Sequence, residues 1–163
     1  MELQLGGQKV LITGGSRGIG RAIASSMARE GCEIHLSSRT EADLQRAQAE
    51  ITDATGSEVS IHAFDLSEST NTSRLAEVCA DVDILINNAG AIPGGNLGDV
   101  DESRWRLAWD LKVFGYINLT RLIYARMQER HRGVILNIIG LAGERYNANY
   151  IAGSTGNAGL MAF

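Results

Sequence analysis

The residues of this chain with the most chemical content form one loop, Gly14-Gly15-Ser16-Arg17-Gly18-Ile19-Gly20. An apolar run at 9–13 leads directly into it, and a helical pattern begins at Gly18. Gly14 permits a tight turn, Gly18 lets the backbone approach a pyrophosphate, and Gly20 lets the helix pack closely on the strand. The start of the helix then offers free amides and a partial positive charge to phosphate groups. A glycine pattern alone is weak evidence. Between a strand and a helix, at the start of an alternating chain, it reads as a dinucleotide-binding loop.

The second strand decides which dinucleotide is expected. An NAD-type site usually places an acid about 20 residues beyond the loop, for the ribose hydroxyls. Here that strand ends in Ser37-Ser38-Arg39, with no acid at its tip. Arg39 and Arg17 together can flank a 2′-phosphate through charge-assisted hydrogen bonds. NADP is therefore the expected cofactor, with NAD the lesser alternative.

Such a site needs a parallel sheet behind it. Strand-like runs fall at 9–13, 33–38, 59–64, 82–87 and 134–139. Helical patterns fall at 18–30, from 40 onward, at about 71–79, at 103–130 and from about 150. Thr40 and Asp43 stand at capping-box-like spacing at the start of the second helix. The alternation predicts parallel strands joined by helical crossovers. Nearly all-apolar strands such as Val134-Ile135-Leu136 suit a sheet covered on both faces. The expected fold is a Rossmann-type doubly wound α/β/α sandwich, one domain over 1–163 that reads as lacking its C-terminal strands.

The long helix at 103–130 carries Trp105, Trp109, Tyr116, Ile123 and Met127 on one face, and Leu107, Leu111, Phe114 and Leu122 on much of the other. A helix apolar on two sides is buried on two sides. One side is expected to pack on the sheet and the other on a second subunit, giving a homo-oligomer (dimer or tetramer).

Bulk properties exclude several classes of protein. Hydrophobic residues make up 44% and charged residues 21%, as in ordinary globular domains. The net charge of -4 gives no pull toward nucleic acid or anionic membrane. No apolar run approaches the roughly 20 residues of a membrane span, and no secretion signal opens the chain. A cytoplasmic location is expected. Cys32 and Cys79 match neither a disulfide framework nor a zinc motif, and His35, His62 and His131 lie far apart, so no metal site is expected.

The chain resembles the short-chain dehydrogenase/reductase family over nearly its whole length. The resemblance rests on Thr13 through Gly20, on Asp65-Leu66 after the third strand, and on Asn87-Asn88-Ala89-Gly90 after the fourth. It implies that Asp65 contacts the adenine, and that the segment holding Asn88 and Gly90 stabilises the sheet and lies along the cofactor. It also implies a hydride transfer between nicotinamide and a small carbonyl or alcohol. The family's catalytic set is Asn, Ser, Tyr and Lys. Tyr150 matches the tyrosine of Tyr-x-x-x-Lys, but Ser154 stands where lysine belongs, Gly140 where serine belongs, and Lys112 where asparagine belongs.

These departures have chemical consequences. A free tyrosine, with a pKa of about 10, is a poor base near neutrality unless a cation stabilises its phenolate. Ser154 carries no charge. Lys112, one of two lysines in the chain, lies within the stripe of Trp105, Trp109 and Tyr116. It either reaches Tyr150 as a relocated cation or lines the site without acting on that tyrosine. Asn147 and Asn149 are the nearest polar candidates to replace the serine. Two functions remain open: an NADP-dependent oxidoreductase with Tyr150 as acid/base, and a non-catalytic NADP-binding protein serving as sensor or assembly subunit.

Overall fold

A computed structural model describes residues 3–163. Five parallel strands, β1 (Lys9–Thr13), β2 (Glu33–Ser38), β3 (Val59–Ala63), β4 (Ile84–Asn87) and β5 (Val134–Asn137), form one sheet in the order β3-β2-β1-β4-β5. The chain winds outward from β1 to β3, then returns to the other side of β1. This is the doubly wound order, with its switch point between β1 and β4. Register follows the apolar alternation. Val10 pairs with Ile84 on one side and Ile34 on the other, and Ile12 with Ile86 and Leu36.

That alternation builds two cores. Val10, Ile12, Ile34, Leu36, Ile84 and Ile86 face α1 (Gly18–Arg29) and α2 (Glu41–Thr55), packing on Ala24, Ala28, Leu44, Ala47 and Ile51. Leu11 and Leu85 point the other way, to α3 (Ser69–Val78) and α5 (Gly115–Glu129), where Leu75, Leu119, Ile123 and Met127 cover them. The expected three-layer sandwich is therefore present. β5 is an edge strand, and its Val134 and Leu136 are exposed.

Three sequence expectations need correction. Thr40 does precede α2, but its side chain makes no capping hydrogen bond. The long helix is not uniform: α4 (Glu102–Trp109) passes through a π-helical turn, Asp110–Phe114, before α5 begins. A π turn inserts a residue into the helical period, rotating the rest of the helix by about 100°. The two apolar faces are correspondingly redistributed. Leu107, Phe114 and Leu122 are exposed, whereas Leu111 packs with the second core. Trp109 turns to α6 (Ile151–Ala162) and donates its indole N–H to the Ala152 carbonyl at 3.1 Å. Finally, pairing of β2 with β3 brings His35 and His62, distant in sequence, within hydrogen-bond reach.

Candidate active site

The glycine loop leaves β1 at the switch point, beside the end of β4. Gly14 and Gly18 adopt φ of 65° and 56°, the left-handed region that favours glycine. Gly20 is required for a different reason. A Cβ there would overlap the Gly14 carbonyl and the Asn88 side-chain amide. The close approach at Gly20 is thus between the first turn of α1 and the residues that follow β1 and β4, as the sequence reading expected.

Asn88 closes the same joint. Its amide nitrogen donates to the carbonyls of Thr13 at 3.0 Å and Gly14 at 3.2 Å. The buried Thr13 hydroxyl accepts the backbone N–H groups of Asn88 and Ala89 at 2.9 and 3.0 Å. These bonds tie β1 to β4 where the sheet divides. Replacing Thr13 by Val keeps the shape and removes the acceptor from both amides. The expected loss is about 2 kcal/mol of stability, measured by urea unfolding, because unsatisfied polar groups cost about 1–3 kcal/mol each when buried.

A cleft of about 500 Å³ opens along this joint. Gly14, Ser16, Arg17 and Ile19 line one end, with Arg39 beside them; Asn88 and Gly90 come next, and Lys112, Gly140 and Tyr150 line the other end. Leu66 borders the cleft as well, while Gly18, Gly20, Asp65 and Ser154 do not. Asp65 uses one carboxylate oxygen to accept from the backbone N–H and hydroxyl of Ser67, at 3.0 and 2.7 Å. Its other oxygen stands 4.0 Å from the Arg39 guanidinium.

The lining fits a dinucleotide cofactor. The hydroxyls of Ser37 and Ser38 are buried without a hydrogen-bond partner among the described residues, and both residues border the cleft. Buried polar groups are normally satisfied, so two orphans at the tip of β2 mark a place for a hydrogen-bonding ligand. Arg17 and Arg39 are exposed on the same wall. Gly90 serves the cleft through its missing side chain, since a Cβ there would stand 2.6 Å from Lys112 Cδ.

The far end differs from the sequence expectation. Lys112, in the π turn, is only 8% exposed. Its ammonium donates to the Tyr116 hydroxyl at 2.7 Å and to the Ile138 carbonyl at 2.6 Å. Burial lowers its pKa to about 8. Lys112 therefore shares the cleft with Tyr150 but is held by Tyr116, not Tyr150. Tyr150 caps α6, with its ring lying over Gly153. Burial raises its pKa, with no opposing effect from Lys112. The relocated-cation role is thus not what the geometry provides.

Ser154 does not replace the missing lysine. It is buried, and its hydroxyl accepts from the Asn147 N–H at 3.0 Å while lying 3.3 Å from the Asn147 carbonyl. It fixes the turn that precedes α6. Asn147 and Asn149 belong to that turn and do not line the cleft. The polar side chain beside Gly140 is Asn157. It accepts the Gly140 N–H at 2.8 Å, and its own amide donates to the Gly153 carbonyl at 2.8 Å. Sequence reasoning missed it, although its spacing seven residues after Tyr150 places both on one helix face.

A doubly wound parallel sheet, with a glycine loop at its switch point and a cleft along the strand ends, defines a dinucleotide-binding protein of the Rossmann class. The family model described as short chain dehydrogenase matches residues 8–163. The chain belongs to that family. It is 32% identical over 159 residues to the ketoacyl reductase HetN of Nostoc sp., covering 93% of this chain and 55% of that protein. It is 32% identical to the sepiapterin reductase of Chlorobaculum tepidum, covering 93% of this chain and 68% of that one. Among solved structures, L-sorbose reductase from Gluconobacter frateurii, complexed with NADPH and L-sorbose, superposes with a TM-score of 0.94 at 28% identity. That match covers 100% of this chain and 64% of the reductase. The chain thus spans between about half and two-thirds of the length of these relatives.

Proposed function

We propose that this chain forms the cofactor-binding and reacting part of an NADP-dependent oxidoreductase acting on a small carbonyl or alcohol. The observation that carries this reading is the continuity of the cleft, which joins the phosphate loop to Lys112 and Tyr150. The L-sorbose reductase bound NADPH and a sugar substrate, which supports the same reading by similarity. Gly14, Ser16, Ile19, Gly90 and the amides at the start of α1 would hold the dinucleotide, with Arg17, Ser38 and Arg39 at its adenosine end. Bound there, the cofactor supplies or accepts a hydride.

The protein's own groups favour the reducing direction. A tyrosine whose pKa is raised stays protonated near neutrality, so it holds a proton that a far more basic developing alkoxide can take up. Lys112 has three N–H donors, and its two described acceptors leave one to face the cleft. Lys112 and Tyr150 together can polarise a carbonyl oxygen and donate to it. Ser154 acts only by shaping the turn before α6.

NADPH binding followed by its oxidation over a panel of small aldehydes and ketones tests the proposal. Turnover supports it. Binding without turnover supports the second reading, a non-catalytic NADP-binding sensor or assembly subunit, which Gly140 and Ser154 at two catalytic positions favour. No binding sinks both.

Cofactor choice has its own test. Arg39→Ala is expected to weaken NADPH binding about tenfold or more, since hydrogen bonds to charged groups contribute about 1.5–3 kcal/mol. NADH binding should stay within about twofold of its starting value. An equal loss for both cofactors would refute the preference for the 2′-phosphate.

The exposed Leu107, Phe114 and Leu122 are the surface we assign to homo-oligomer contact. No helix among the described residues is long and apolar enough to cross a membrane. The absence of nucleic-acid or membrane partners and a cytoplasmic site of action complete the proposal.

A further inference from the structure

The face of the sheet under α3 holds a cluster that the cleft does not use. His35 lies on β2, His62 on β3, and Cys79 just beyond the end of α3. His35 Nδ1 and His62 Nε2 are 3.0 Å apart. Cys79 Sγ is 3.7 Å from the first and 3.6 Å from the second. The two rings are parallel within 5°, with centroids 5.3 Å apart, so their nitrogen-bearing edges face each other. All three ligand atoms lie within 4.8 Å of one another.

We propose that His35 Nδ1, His62 Nε2 and Cys79 Sγ form a three-ligand site for a zinc-class divalent cation. The spacing supports this directly. In a tetrahedral zinc site, with nitrogen at about 2.05 Å and sulfur at about 2.3 Å, neighbouring nitrogens stand about 3.3 Å apart and nitrogen and sulfur about 3.6 Å. The three separations here fall within a few tenths of an ångström of those values. Seating the cation requires only that each ring tilt toward Cys79.

The surroundings also suit a metal. The far nitrogen of His35, Nε2, is buried with no hydrogen-bond partner among the described residues, and Glu33 stands 3.6 Å away. When Nδ1 ligates a cation, Nε2 carries the proton, and Glu33 is placed to accept it. Carboxylate–histidine–metal triads use this arrangement. One thiolate and two imidazoles match zinc better than magnesium or calcium, which take oxygen ligands.

Binding releases one proton, because the cation replaces hydrogen on the Cys79 sulfur. The proton shared by the facing imidazole nitrogens moves to the far nitrogen of the ring that carries it. No oxidant or reductant is needed. The filled site would tie β2, β3 and the end of α3 together, stabilising the strand whose tip borders the cleft.

Titration of the metal-free 163-residue chain with Zn²⁺ should show one equivalent bound and a rise in Tm that Mg²⁺ does not reproduce. With Co²⁺ as probe, a thiolate-to-cobalt charge-transfer band and tetrahedral d–d bands are expected. Cys79→Ser and His62→Ala should remove the band and weaken binding at least 100-fold. Cys32→Ser should change neither, and Glu33→Gln should weaken binding about tenfold. Circular dichroism confirms that each variant is folded. Absence of the band in the parent chain, or binding that survives Cys79→Ser, overturns the site. Neither readout depends on NADP binding or turnover, so the site stands or falls apart from the proposed function.

Discussion

Replacing Lys112 by Met is expected to lower NADPH-dependent carbonyl reduction by a factor of about 10²–10⁴, the usual contribution of a positioned proton donor, while leaving the fold at least as stable as before. The two halves of this expectation have one cause. Lys112 is almost wholly buried, and burial lowers its pKa from 10.5 to about 8. A displacement of that size corresponds to a cost on the order of 3 kcal/mol for holding the charged form in the fold near neutrality. The methionine chain takes the same path past Gly90 without the charge. It also leaves no orphan, because Tyr116 Oη already lies 3.2 Å from the Ile138 carbonyl and can donate to it. A side chain that weakens the fold yet borders the cleft fits a functional role better than a structural one.

The pH dependence separates the two effects. Below about pH 8 the lysine is charged in both folded and unfolded chains, and the full cost of burying it is present. Between pH 8 and 10.5 the unfolded chain binds more protons at this site than the folded chain, so stability rises with pH across that window. The Met variant should lack this rise. Activity runs the opposite way: the donor is lost as pH climbs through about 8, and reduction by the parent chain should fall there. Urea midpoints at pH 7, 8, 9 and 10, with initial rates over the same range, check both. A Met variant that turns over normally would remove Lys112 from the chemistry.

The range of the forces involved decides which features the sequence reveals. The inner strands were legible because their apolar residues are covered by helices on both faces, and Val10, Ile12, Ile34 and Leu36 are fully buried; the equally apolar β5 departs from this reading, with Val134 and Leu136 exposed at the sheet edge. The glycine loop was legible because its constraints are local, as the positive φ of Gly14 and Gly18 shows. The π turn was not, since an apolar period of 3.6 continues on either side of it and only tertiary contacts such as Trp109 with Ala152 accommodate the extra residue. Tyr116 as the partner of Lys112 was within reach of the sequence, since the two stand at i,i+4 spacing. Ser154 and Asn157 exchanged importance because the direction in which α6 leaves Tyr150 decides which of them meets Gly140. The histidine pair depends on β2–β3 register, which no spacing along the chain reports.

Gly20→Ala is expected to abolish dinucleotide binding and to cost about 3 kcal/mol, at the upper end of the range for overpacking a closed site. The added methyl meets the Gly14 carbonyl oxygen, which is backbone, and the Asn88 amide, which is held by two carbonyls. Neither can yield independently. Moving Gly14 disturbs the left-handed turn that starts the loop, and moving Asn88 frees two carbonyls at the joint of β1 and β4. Gly18→Ala makes the informative contrast. There a Cβ meets nothing within 4 Å, but φ is 56°, so the penalty is backbone strain alone. Such strain costs about 1–2 kcal/mol. Denaturant midpoints should therefore rank parent, Gly18→Ala, Gly20→Ala in falling order. Only Gly20→Ala should lose NADPH binding entirely, because it alone displaces both strand ends that frame the cleft. Equal losses for the two variants would mean that positive φ, not the contact of Gly20 with Asn88, is what the loop requires. The loop would then be a flexible turn laid over the switch point rather than a part of the joint that creates it.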